Sequence, residues 1–188
     1  MVMRQWTYDL FLQDDWRVTS SLTVNAGLRY EIQTPLHDIS KILTNLDFSK
    51  GAPMAFVGGQ NGYPKGLVYI DKNNLAPRVG LAWAPSDGKN VVRAGAGVFY
   101  SYPDMNLWCN QVHNVPLVFP EIQVNNAATP TVGFGFAPPV LGRTLTSSTA
   151  IDTHLQIPRI DQTSVSFERL LTETSMIQVG YLGAWGSS

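Results

Sequence analysis

Charge is scarce in this chain. Only 14% of its 188 residues are Asp, Glu, Lys or Arg, against about 25% in an ordinary soluble domain. The formal charge is -1, and no basic run or exposed aromatic platform stands out, so nothing electrostatic favours nucleic acid as a partner. Cysteine is nearly absent: Cys109 stands alone, which rules out an intrachain disulfide and says little about compartment. No run of about 18 apolar residues occurs, which excludes a transmembrane helix. The opening residues MVMRQWTYDL lack both the apolar core and the small-residue cleavage site of a secretory signal.

Groupings that carry chemistry are equally sparse. His37, His113 and His154 fall in loop-like stretches without ligand spacing, which argues against zinc. Asp14 and Asp15 are adjacent, so in a strand they point to opposite faces. With no third ligand nearby they make a poor calcium or magnesium site. Gly95 and Gly97 precede no helix and do not form a nucleotide loop. No Ser, His and Asp grouping supports nucleophilic catalysis. The expectation is a protein that is not an enzyme, with no catalytic residue, no cofactor and no bound metal.

What is present is alternation. In LTVNAGLRYEIQ, Leu22, Val24, Ala26, Leu28, Tyr30 and Ile32 share one face, and Thr23, Asn25, Gly27, Arg29, Glu31 and Gln33 the other. A period of two over so long a run predicts a strand about twice the usual length of 5 to 6 residues. Before it, Trp6, Tyr8, Leu10, Leu12, Trp16 and Val18 alternate with Thr7, Asp9, Gln13, Asp15 and Arg17. Phe11 and Asp14 break the pattern, and Asp14 is expected either at an interface or beside a bulge that corrects the register. Thr19, Ser20 and Ser21 form the turn.

The same plan recurs twice. LAPRVGLAWAP, SDGK and NVVRAGAGVFY read as strand, tight turn and strand, with Asp87-Gly88 as the hairpin signal. Pro77 lacks a ladder donor, so pairing is expected to begin near Arg78. RIDQTSVSFERLLTETSMIQVGYLGAWG makes the third hairpin, turning near Thr172-Glu173. The hairpins are expected over 5–33, 75–100 and 160–183. Long loops over 34–74 and 101–158 separate them, rich in proline and glycine. LTNLDFSKG and GLVYI are candidates for short extensions or a small hairpin. Phe119, Phe134 and Phe136 are more readily explained by the second loop packing on itself than by a binding surface.

Short turns at one end, long loops at the other, and strands apolar on one side suggest a membrane barrel with a wet interior. Trp16 and Trp83 lie near the short turns; Trp6, Tyr8, Tyr30 and Tyr100 lie towards the long loops. These two levels match the aromatic girdles of such barrels. The polar side collects Asp9, Asp15, Arg17, Arg29, Glu31, Arg78, Arg93 and Glu168, expected to line the lumen and to pair with one another or with a plug. The expected fold is all-β: an antiparallel transmembrane β-barrel segment of about six long strands over 1–188, incomplete because such barrels need at least about eight. A barrel must be exported, so an internal piece of a longer chain is expected.

Three stretches, QDDWRVTSSLTVNAGLRYE, NLAPRVGLAWAPSDGKNVVRAGAGVFY and QTSVSFERLLTETSMIQVGYLGAWG, together resemble successive hairpins of TonB-dependent outer-membrane receptors. They are most similar to the Oar-like group, which carries a carboxypeptidase-regulatory-like domain before its plug. The resemblance implies a barrel of about 22 strands, an N-terminal plug, and uptake across the outer membrane energised by an inner-membrane complex. It also implies outer-membrane lipid, the remaining strands, the plug and the TonB complex as partners, with the long loops extracellular. The plug and the segment that meets the energising protein are absent from these residues. Two other readings stay open: a carbohydrate-binding or adhesive all-β domain using the long loops, and a porin-like passive barrel.

Overall fold

The computed structural model describes residues 2–85, 88–118 and 148–187. In chain order the strands are β1 (Met3–Arg4), β2 (Thr7–Arg17), β3 (Leu22–Gln33), β4 (His37–Asp38), β5 (Thr44–Asp47), β6 (Met54–Val57), β7 (Leu75–Trp83), β8 (Asn90–Tyr100), β9 (Arg159–Thr172) and β10 (Ser175–Ser187). A short helix α1 (Asn106–Cys109) runs into a 3-10 turn at Asn110–His113. The chain divides into two compact units.

The first unit comprises Gln5–Thr34, Ile70–Asp104 and His154–Ser188. It holds a six-stranded antiparallel sheet in the order β10-β9-β8-β7-β3-β2. Neighbours in the sheet are neighbours in sequence among the long strands, as hairpin connection requires. At the β2–β3 turn the Thr19 hydroxyl accepts the N–H groups of Ser21 and Leu22 at 3.2 and 3.0 Å. Between β7 and β8, Gly88 adopts φ +65°, a left-handed conformation that glycine takes without steric penalty. Ser86 and Asp87 of the expected turn lie outside the described residues. A two-residue connection, Glu173-Thr174, joins β9 to β10.

Register decides which residues share a face. β2 and β3 pair without interruption from Thr7↔Gln33 to Arg17↔Thr23. Of the two expectations for Asp14, the bulge is therefore absent. Asp14 stands opposite Ala26 on the apolar side, and Phe11 opposite Arg29 on the polar side. Pro77 behaves asymmetrically: β7 pairs with β3 through Leu28↔Pro77 and on to Tyr30↔Leu75, whereas its register with β8 begins at Arg78↔Gly97. The absent donor thus coincides with the end of pairing on one side only: pairing within the hairpin begins at Arg78 as expected, while pairing with β3 continues to Leu75. The third hairpin also runs further than expected, reaching Ser187. β2 and β10 each have a single neighbour, so the sheet is open.

The second unit comprises Met1–Arg4, Pro35–Tyr69 and Met105–Thr153. β1 pairs with β4, and β5 with β6. Stretches expected to be loops therefore contain folded structure with a core of its own. Leu43, Phe56, Leu67, Val68, Trp108 and Ile151 are buried. β5 lies within LTNLDFSKG as expected, but its partner is Met54–Val57. GLVYI is not a strand: Leu67 sits at φ 69° and is fully buried. The Gly66 backbone passes so close to Pro35 that an added Cβ would lie 2.5 Å from the proline Cβ. Phe119, Phe134 and Phe136 lie outside the described residues.

Two buried asparagines organise this unit. The Asn45 amide donates to the Ile151 carbonyl at 2.8 Å and accepts from the Ile151 N–H at 2.9 Å. Asn114 treats Thr149 in the same way, at 2.7 and 3.0 Å. Each side chain replaces a missing strand partner, satisfying backbone groups that burial would otherwise leave unpaired.

Candidate functional site

The functional surface is the sheet itself, because its two sides differ in chemistry. Residues directly opposite in adjacent strands share a face, so the register carries side assignments across all six strands. Leu12, Leu28, Val79, Ala96, Val165 and Tyr181 fall on one side. All eight charged residues singled out from the sequence, Asp9, Asp15, Arg17, Arg29, Glu31, Arg78, Arg93 and Glu168, fall on the other.

The structure joins several of these charges. Arg29 meets Asp9 at 3.3 Å and Glu31 at 2.5 Å. The Arg29 Nε makes no well-directed hydrogen bond, so its contact with Glu31 is ionic attraction at short range. Arg93 Nε lies 3.4 Å from Glu168 Oε1, which also accepts from the Gln178 amide at 3.4 Å. Asp15 accepts from the Asn25 amide across the β2–β3 pair. Arg17 donates to the Ser20 carbonyl at 3.2 Å, tying the strand to its turn. Arg78 takes a different partner: its guanidinium carbon lies 4.5 Å from the centroid of Phe99, a cation–π distance. Opposite-sign neighbours lower the cost of gathering charge on one face, although exposed pairs contribute at most about 1 kcal/mol each.

Glycine shapes the same face. Gly27, Gly80, Gly95 and Gly97 stand among the charges, two of them flanking Arg78 directly. A Cβ on Gly97 would lie 3.1 Å from Arg78 Cγ and 3.3 Å from the Phe99 ring. Just beyond β8, burial and the Glu31 and Asp9 carboxylates push the Tyr102 phenol up to about 12. No composition or spacing signal marked Tyr102 in advance.

The opposite side carries the tryptophans and tyrosines of the long strands. Trp16 and Trp83 stand near the short turns; Tyr8, Tyr30 and Tyr100 stand towards the other end. Trp6 precedes β2, where its N–H donates to the Thr34 hydroxyl at 2.9 Å. Tyr30 and Tyr100 fasten the segment entering β7, donating to the carbonyls of Lys72 at 2.9 Å and Asn73 at 3.2 Å. Trp185 belongs to this side too, opposite Asp161. It was missed because the third hairpin is expected to end at residue 183, whereas β10 continues to Ser187. Large apolar side chains here face outward unpartnered, Leu12 at 77% exposure and Val179 at 66%. A sheet with that surface calls for an apolar medium. No helix among the described residues is long and apolar enough to cross a membrane. No three His, Cys, Asp or Glu among them converge as metal ligands.

A family model described as an outer membrane beta barrel domain matches residues 1–188. The chain belongs to that family. No curated protein and no solved structure matches it. Membership explains the inverted sheet: in the barrel domain strands cross the outer membrane, lipid supplies the apolar surroundings, and the six strands form part of the barrel wall.

Proposed function

We propose that this barrel domain is wall and extracellular loop of a TonB-dependent outer-membrane transporter, and that it carries no catalytic chemistry. The observation supporting this most strongly is the open six-stranded sheet with one charged, glycine-pitted side. Two unpaired edges call for further strands, and a face crowded with Arg, Asp and Glu suits a wide interior filled by water or a plug. The three hairpin stretches that resemble this receptor family add the assignment to energised uptake. In this reading Leu28, Val79, Val165 and their row-mates face lipid. Asp9, Asp15, Arg17, Arg29, Glu31, Arg78, Arg93 and Glu168 face the lumen. Trp6, Tyr8, Tyr30 and Tyr100 mark the outer interface, and Trp16 and Trp83 the inner one. The segments 34–74 and 101–158 are extracellular, because barrels of this kind keep their longer connections outside.

The test is growth or uptake by cells carrying the full-length protein, with and without the inner-membrane energising complex. Loss of uptake on removing that complex supports the transporter. Unchanged uptake would instead indicate a passive, porin-like barrel.

A further inference from the structure

Arg78 is set apart from the other charges of the polar face. Arg29 and Arg93 have carboxylate partners, and Arg17 is tied to its own turn. Arg78 stands near the middle of β7, and its one directional partner among the described residues is the ring of Phe99. Gly27 lies opposite it on β3 and Gly97 opposite it on β8. The side chain therefore rises as a ridge between two depressions. One, of about 230 Å³, extends over Gly27 towards Gln13. The other, of about 220 Å³, extends over Gly95 and Gly97 towards Gln162 and Ser164.

We propose that Arg78 is an anion-receiving site of the lumen wall, built to take a carboxylate. The inference rests on the lumen-facing reading given above. The Arg78 guanidinium carbon lies over the Phe99 ring, an aromatic contact that uses none of its N–H donors as a hydrogen bond to oxygen, and a guanidinium fork matches a carboxylate with two parallel hydrogen bonds. Stacking also fixes the side chain in advance, so less conformational freedom is lost when an acceptor arrives. Gly97 is what lets the stack form, since a larger residue would press on both Arg78 and Phe99. Gln162 and Ser164 edge the neighbouring depression and add neutral polar groups that a carboxylate-bearing molecule can meet. The carboxylate has two possible sources: a solute passing the wall, or an Asp or Glu of a protein segment seated in the lumen.

Conductance of the full-length protein in planar bilayers tests this, with citrate as probe and its neutral triethyl ester as control. If the carboxylate belongs to solutes, citrate blocks the wild-type current and the ester does not. Arg78→Gln then weakens the block about tenfold, and Phe99→Leu, which keeps the charge but removes the stack, weakens it less. If the carboxylate belongs to a lumen segment, the wild type conducts little, citrate has no effect, and Arg78→Gln raises the resting conductance by loosening that segment. Each variant is first checked for the heat-modifiable gel mobility of a folded barrel. A folded Arg78→Gln protein with wild-type conductance and wild-type citrate response would overturn the proposal. Conductance needs no energising complex, so this failure is separable from failure of the transporter reading. Cysteine placed at Val165 and found shielded by lipid shows in the same samples that the side assignment still holds.

Discussion

Leucine tells the two units apart. In the loop unit Leu43 and Leu67 are buried, at 1% and 0% exposure, whereas in the wall Leu10 and Leu12 stand 72% and 77% exposed. The same side chain follows opposite rules because the two units meet different surroundings. The loop unit has to hide its apolar groups from water and does so with a small core held by buried amides. Inside the sheet the wall's backbone is satisfied by cross-strand pairing, and its exposed apolar side suits hydrocarbon. A protein can thus carry a soluble-style fold and an inverted one in a single chain, and burial alone does not distinguish structural importance between them.

The comparison sharpens first at Leu43. Leu43→Ala empties a packed site and should cost the loop unit about 2–5 kcal/mol, read as earlier loss of amide protection in 44–57 while the strands stay protected. Equal loss of protection in β3 would mean that the two units do not differ as described. At the wall, loss of volume should matter less than gain of charge. Leu28→Arg in the full-length protein should destabilise by about 2–4 kcal/mol if Leu28 lies near the membrane midplane, measured by reversible unfolding in bilayers.

A smaller effect is expected at the amide that replaces a strand partner. Asn45→Ala leaves the Ile151 N–H and C=O without their partner and should cost about 1–3 kcal/mol. Hydrogen exchange at Ile151 should accelerate. Smallest is the response to pH around Asp47 and Tyr63, joined at 2.7 Å. Hydrogen bonds from the Ser49 backbone and then from Tyr63 hold the Asp47 carboxyl below its ordinary 3.8. Its contribution is therefore complete above 3.8 and is lost as pH falls through the lower folded value. The Asp47 contact raises Tyr63 above 10.0; that contribution is complete below 10.0 and is lost as pH rises through the raised value. Chemical shifts of the Tyr63 ring should move at both extremes and stay flat between them. Movement near neutral pH would contradict this pairing.

How far the sequence could be read follows the same division. Strand β3 was legible because alternation is local: each residue of Leu22–Gln33 declares its side by parity alone. The wall's charges and most of its aromatics could be sorted in that way. Asp14 and Phe11 tempted a bulge, yet pairing tolerates both in place, since each is an exposed position on an edge strand. Trp185 lay beyond the expected end of the third hairpin at residue 183. An added Cβ at Gly183 would come within 2.8 Å of Trp185 and 2.9 Å of the Tyr181 hydroxyl, both tips of exposed side chains that can swing aside. The loop unit was illegible for another reason. Asn45 and Ile151 are separated by 106 positions, and no periodicity announces a contact of that range. Arg78 was recognised as a polar-face residue, but its stack on Phe99 needed the β8 backbone in place.

Everything said of the wall depends on the two sides of the sheet meeting different media. Single cysteines at Val24, Asn25, Gly27 and Leu28 of the full-length protein, labelled in intact membranes with a water-soluble thiol reagent, test it most directly. Strong labelling is expected at Asn25 and Gly27, with protection at Val24 and Leu28. Strong labelling at Val24 and Leu28, with none at Asn25 and Gly27, would contradict it.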